Sequence, residues 1–240
     1  MTDRVGRAKV ALYVTLPPDV PLERVATTGR AQAAIASQSL PNGVEQRLAV
    51  LTVPETPLPH QRLMAASPRP FDLAYQLAAG AREPLAAMAD AVAAMLTALQ
   101  PDIDARHAAV LIGEEIAITS GDGPIYNIMP LRRLAAISHD EFMHQWFDRH
   151  AALGEGVEGV RYRQNHVDAA ATDSLAERLG LTFPAMDGLT ESYFDDVAAA
   201  VSVLSQNVVA HDAIEDERRF IDHARSQFGL YETIWHASGR

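Results

Sequence analysis

The order of β-rich and helix-periodic segments is stated twice along this chain of 240 residues, and that repetition constrains the fold more than any single motif. In the first pass Ala8–Leu16 is strand-like, Leu22–Ser39 helical and Arg47–Val53 strand-like. Prolines 54, 57, 59, 68 and 70 then mark a long loop, because proline fixes φ and removes a donor. Phe71–Leu77 alternates like a strand, and Pro84–Leu99 carries the stripe Met88, Val92, Met95, Leu99 of a helix. His107–Thr119 reads as one long strand or a pair broken at Gly113. The second pass gives a strand over Pro124–Pro130, a helix over Asp140–Leu153 and a strand over Val160–Val167. A polar loop with at most a helical turn follows. Gly188–Phe194 is a strand, Asp195–Ser205 a helix, Glu215–Ser226 irregular or one helical turn, and Phe228–Trp235 a closing strand.

Each pass is βαββαβ, the split βαβ order. A four-stranded sheet of this kind is covered by helices on one face, so its bare face needs a partner, and the other repeat supplies one. The expectation is an α+β protein: two ferredoxin-like βαββαβ repeats, residues 1–120 and 121–240, whose sheets pack face to face as a barrel around an apolar chamber. The turn-like run Ser120-Gly-Asp-Gly-Pro124 separates them.

Composition narrows the class. Hydrophobic residues make up 48% of the chain, enough for a packed core, and the formal charge of −11 argues against nucleic acid or an anionic membrane as partner. No run of about 18 apolar residues is present to span a bilayer, and the N-terminus lacks a secretory pattern, so a cytoplasmic protein is expected. The absence of cysteine removes disulfides, thiolate nucleophiles and zinc–thiolate sites.

The chemistry-bearing residues concentrate between Ser138 and His166. Ser138 and Glu141 form a capping box, and Phe142, Trp146 and His150 follow at i, i+4 and i+8 along one helical stripe. On the strand after the glycines at 154, 156 and 159, Tyr162, Gln164 and His166 share a face. His150 is a general acid/base candidate or a C-terminal capping residue; Tyr162 polarises a bound oxygen or anchors the sheet; His166 is the better base candidate. Among nine histidines, His139 and His144 are five apart and His144 and His150 six apart, so no helical metal clamp is expected. A site assembled from scattered histidines stays open, as does heme on one axial histidine. The runs Asp195-Asp196 and Glu215-Asp216-Glu217 read as solvated helix starts; Arg161 and Arg163, on the face opposite Tyr162, read as surface residues at a sheet edge or as partners of a carboxylate from the other repeat.

The second half resembles the EthD family of the dimeric α+β barrel superfamily. The resemblance rests on the F-x-x-x-W-x-x-x-H helix, on HAALGEGVEGVRYRQNHV with Tyr162, Asn165 and His166, on GLTESYFDD at 188–196, and on EDERRFID at 215–222. The first half lacks the aromatic–histidine helix and is similar to a degenerate copy. Superfamily members pair two chains to close the barrel, so a fused tandem would close it within one chain, with homodimerisation left open. The resemblance implies a small hydrophobic, often aromatic, ligand in the barrel. Relatives include monooxygenases, cyclases, isomerases, decarboxylases and heme proteins. The resulting expectation is an acid/base lyase, decarboxylase or dehydratase of aromatic catabolism that works without a cofactor or metal. His150, His166 and Tyr162 would be catalytic, and Phe142, Trp146, Asn165, Tyr126 and Trp235 would bind substrate. The alternatives are an isomerase, cyclase or monooxygenase, or a non-catalytic heme- or ligand-binding barrel.

Overall fold

A computed structural model of the chain describes residues 6–80, 82 and 84–237. The first half comprises β1 (Gly6–Val14), α1 (Leu22–Ala36), β2 (Val44–Thr52), α2 (Pro59–Leu63), β3 (Leu73–Ala79), α3 (Leu85–Leu99) and β4 (Ala109–Ala117). The second comprises β5 (Ile125–Leu131), α4 (His139–Met143), a π-helical turn at His144–His150, α5 (Ala151–Glu155), β6 (Arg161–Val167), α6 (Ala169–Leu179) and β7 (Gly188–Phe194). It continues with α7 (Val197–Leu204), a second π turn at Val208–Ala213, α8 (Ile214–Glu217) and β8 (Gly229–Ala237). Among the described residues no single helix is long and apolar enough to cross a membrane.

All eight strands join one closed antiparallel barrel in the order β1-β3-β2-β8-β5-β7-β6-β4. Read as halves, β4-β1-β3-β2 and β8-β5-β7-β6 share one topology, and the seams β2–β8 and β4–β6 close the ring. Closure removes every free strand edge. The α+β barrel of two ferredoxin-like repeats is therefore made within a single chain.

Strand alternation sends each residue either outward under the helices or inward to the lumen. The outer face of the first sheet packs Val10, Leu12, Leu48 and Tyr75 against Met88, Val92 and Met95 of α3. The outer face of the second packs Ile125, Met129, Phe194 and Leu230 against Phe142, Trp146, Leu204 and Phe220. The two connections that the sequence reads as loops are exchanged between these cores. The β2–β3 connection places Leu58 and Met64 in the second core, and α6 with its flank places Leu175, Ala176 and Leu181 in the first.

The lumen corrects the expectation of an apolar chamber. Lys9, the chain's sole lysine, is buried there and donates to Glu115 at 2.7 Å and to Glu191 at 3.1 Å across the barrel. Tyr193 donates to Glu191, and Tyr126 donates to Gln76 while its ring stacks on Tyr193 at 4.8 Å. Arg163 takes the second of its two expected placements: it points inward, lies 4.3 Å over the Tyr193 ring and pairs with Glu115 of the other half. Burial alone would raise the Glu115 carboxyl, but the adjacent charges of Lys9, Arg163 and Arg7 bring it down to about 2. Lumen side chains thus fill the space with this paired polar network together with a buried cluster that includes Tyr13, Phe71, Leu111, Ile128, Leu189 and Tyr231.

Candidate functional site

The cavity that gathers the chemistry-bearing residues lies outside the barrel, between the outer face of β5, β6 and β7 and the helices of the second half. It measures about 80 Å³. Met129, Trp146, Leu153, Val157 and Leu204 give it apolar walls, while its polar lining includes His60, His150, Glu217 and Tyr162 together with Asn127, Thr190 and Ser192.

Local backbone features bring these groups together. Ser138 accepts from the Glu141 N–H at the start of α4, which is one of the two bonds that the capping box predicts. The helix then widens into a π turn from His144 to His150, a form that recurs at functional sites, and Phe142, Trp146 and His150 all stay buried. Gln164 donates to the Trp146 carbonyl at 3.0 Å and so binds this turn to β6. Two glycines of the singled-out motifs allow close approach: a Cβ on Gly188 would lie 2.5 Å from the Trp146 ring, and one on Gly154 would lie 2.5 Å from the Tyr162 ring.

His150 holds Asp216 through Nδ1 at 3.0 Å and turns Nε2 toward Glu217 at 3.9 Å. Glu217 is buried and receives two more imidazoles. His60 Nε2 lies 3.3 Å from both its oxygens and His223 Nε2 lies 2.8 Å from Oε2. Burial acts to raise the Glu217 carboxyl, but His60, His223 and His150 outweigh it and hold the group well below the usual carboxylate range. Burial pushes the Tyr162 phenol up to about 12, so it keeps its proton at neutral pH and serves as a donor rather than a base. Gln164 Nε2 donates to its oxygen at 2.8 Å.

The structure brings together only part of the predicted set. His150, Tyr162 and Trp146 line the cavity, and Phe142 lies against Trp146 without lining it. His166 shares the outer face with Tyr162 but does not reach the cavity. Its ring sits 4.6 Å from Phe147 and 5.5 Å from Trp146, with Nε2 on Gln164, and burial lowers it to about 4. Asn165 and Tyr126 alternate to the lumen side: Asn165 donates to the Leu189 carbonyl, and Tyr126 belongs to the tyrosine network. Trp235 packs against the first core, far along β8 from this site. Sequence reasoning missed Glu217, read as solvated, and His60 and His223, which lie in segments without periodicity. His60 comes from the first half, so the site is not the product of one repeat.

Residues 135–224 match the model of the EthD domain, a span that holds Trp146, His150, Tyr162, Glu217 and His223 but neither His60 nor Met129. No curated protein matches the chain. Similar solved structures include a candidate chlorite dismutase (TM-score 0.53, 9% identity, 96% of each chain covered). A candidate monooxygenase from Lactobacillus acidophilus matches with TM-score 0.52, 9% identity and 97% and 96% of the two chains covered. A heme-binding protein from Thermus thermophilus matches with TM-score 0.52, 10% identity and 96% and 92% covered. At these identities the likeness is one of fold.

The last of these corrects the expectation of cofactor-free chemistry, since a protein of the same fold binds heme. The cavity described here does not fit that group. Its 80 Å³ falls far below the roughly 300–1,000 Å³ of sites for drug-sized ligands, and a porphyrin is larger than many of those. Among the described residues no arginine or lysine lines it to meet propionates, and the imidazole Nε2 atoms face a carboxylate instead of open space. Eight strands closed into a ring form an intramolecular α+β barrel, and residues 135–224, less than half of the chain, are similar to the EthD domain.

Proposed function

We propose that the chain is an enzyme that binds a small, largely apolar molecule in the cavity outside the second sheet and oxygenates it. One observation carries this reading: the apolar cavity ends in a buried imidazole–carboxylate group assembled from both halves of the chain. Water-poor walls strengthen any charge interaction with a bound molecule, and the polar end is where an acidified C–H or O–H would be directed. His150, oriented by Asp216, is the acid/base candidate; Tyr162, protonated at neutral pH, polarises a substrate oxygen; Trp146 is the wall. The names of two similar folds, a candidate monooxygenase and a candidate chlorite dismutase, support oxygen chemistry over lyase chemistry. Oxidation of a CH2 group to a carbonyl balances as one O2 consumed and one water released.

At 80 Å³ the cavity holds little more than two or three waters, each with a share of about 30 Å³. A ring-sized substrate therefore requires the flanking π turn at Val208–Ala213 to move. The test uses a Trp235→Phe chain, in which Trp146 is the one remaining tryptophan. Small phenols and hydroquinones that quench Trp146 saturably are expected to drive oxygen uptake. His150→Ala should lower that uptake at least a hundred-fold while quenching persists. Saturable quenching with no oxygen uptake for any of them would contradict the proposal.

A further inference from the structure

At one end of the barrel, where β1 stops and β3, β4, β7 and β8 begin, the connecting segments enclose a second cavity of about 340 Å³. That volume falls within the roughly 300–1,000 Å³ of small-molecule sites, which recur in the mouths of β-barrels. We propose that this mouth is a ligand site for a neutral, flat, fused-ring aromatic molecule whose single O–H or N–H donor is directed at Gln227. The site is separate from the cavity beside Trp146 and does not depend on the oxygenase reading.

The walls select for flat apolar surface. Pro17 and Pro18, just past β1, and Pro68, ahead of β3, line the mouth with rigid rings that carry no hydrogen-bonding side chain and no N–H. Phe71 and Phe183 line it too and meet edge to face at 5.5 Å, a contact that an incoming aromatic ring can extend. Phe71 is buried, stacks on Tyr13 of the lumen at 5.5 Å and has its carbonyl held by the Tyr231 hydroxyl at 2.8 Å, so the floor is fixed. Arg132 lies 5.4 Å over the Phe183 ring and donates to the Pro184 carbonyl at 2.9 Å, which steadies the side wall.

Charges at the rim are already matched. Arg69 pairs with Asp72, and His107 holds Asp104 at 2.9 Å, so a charged ligand would have to compete for its partner whereas a neutral one would not. Gln227 differs. It lines the mouth at 5% exposure, its backbone N–H donates to the Pro130 carbonyl at 3.1 Å, and its Nε2 donates to the Arg69 carbonyl at 2.8 Å. A carbonyl only accepts, so the amide nitrogen is the end that faces Arg69 and the oxygen is the end left over. That Oε1 is buried without a hydrogen-bond partner. An unpaired buried acceptor is unfavourable, and a donor brought by a ligand relieves it.

The full chain is titrated into 2-naphthol, and binding is followed by the anisotropy of the naphthol's own fluorescence. Saturable binding of one equivalent is expected. The ether 2-methoxynaphthalene, which keeps the rings and lacks the donor, should bind at least ten-fold more weakly, and so should the anion 2-naphthoate. Gln227→Met, which removes the acceptor, should bring naphthol down to the level of the ether, and Phe183→Ala should weaken both; each variant is checked for native circular dichroism. Equal affinity of the unaltered chain for naphthol and its ether, a comparison that needs no variant to fold, would overturn the proposal. So would the absence of saturable naphthol binding, or binding that survives both Gln227→Met and Phe183→Ala. Naphthol held at the mouth of a chain that consumes no oxygen with any phenol would sink the oxygenase reading alone.

Discussion

His166 is set against the Trp146 and Phe147 rings, where burial favours its neutral form. Folding lowers it from an ordinary value near 6.5 to about 4, so the native state prefers the unprotonated ring. Its contribution to stability is complete above about pH 6.5 and is lost as pH falls toward 4, up to ~3 kcal/mol. Urea unfolding at pH 7 and pH 4.5 should show that the unaltered chain loses more stability than His166→Gln between the two; parallel losses would refute it. At the same scale, legibility depended on pattern. Trp146, His150 and Tyr162 were found because helix and strand periods place them on identifiable faces. The sequence placed His166 correctly on the Tyr162 face but not at the cavity, because that face covers more wall than the cavity occupies. Glu217 was hidden inside an acidic run: Glu215 is exposed, whereas two positions later the same short helix turns a carboxylate inward to three imidazoles.

The elements around the site owe their positions to missing side chains as much as to present ones. Gly188 opens β7, and a methyl there would meet the Trp146 ring at 2.5 and 2.7 Å. Gly188→Ala is expected to destabilise the chain by about 1–3 kcal/mol through overpacking and to shift Trp146 fluorescence, while Gly80→Ala, with open space around it, should do neither. Strands were read within a few residues because alternation and flanking prolines mark them. The helix α6 was read as loop although it carries its own signals: Asp168 accepts from the Ala171 N–H and Gly180 ends the helix with a left-handed φ of 68°. The short α2 had no such signal beyond Pro59 at its start, and its membership of the second core follows from the exchange of connections between halves, which no local pattern encodes.

For the whole molecule, the repeated order was sufficient to give the barrel, whereas the contents of its lumen were not legible. Alternation says that Lys9, Glu115, Arg163, Glu191 and Tyr193 share the inner side, but only the closed ring shows that they meet. Removing one member leaves buried charge uncompensated, so Lys9→Met should cost about 3–5 kcal/mol in chemical denaturation. A change under about 1 kcal/mol would mean that the lumen is hydrated and open. The packed lumen also moves the working space outside the barrel, and this is the claim on which the functional reading depends. Xenon pressed into crystals of the full chain tests it directly, since xenon enters apolar cavities. The expected result is a xenon peak between Trp146, Leu153, Val157 and Leu204 with none inside the ring of strands; xenon among Tyr13, Tyr126 and Tyr193, and none at Trp146, would contradict the account.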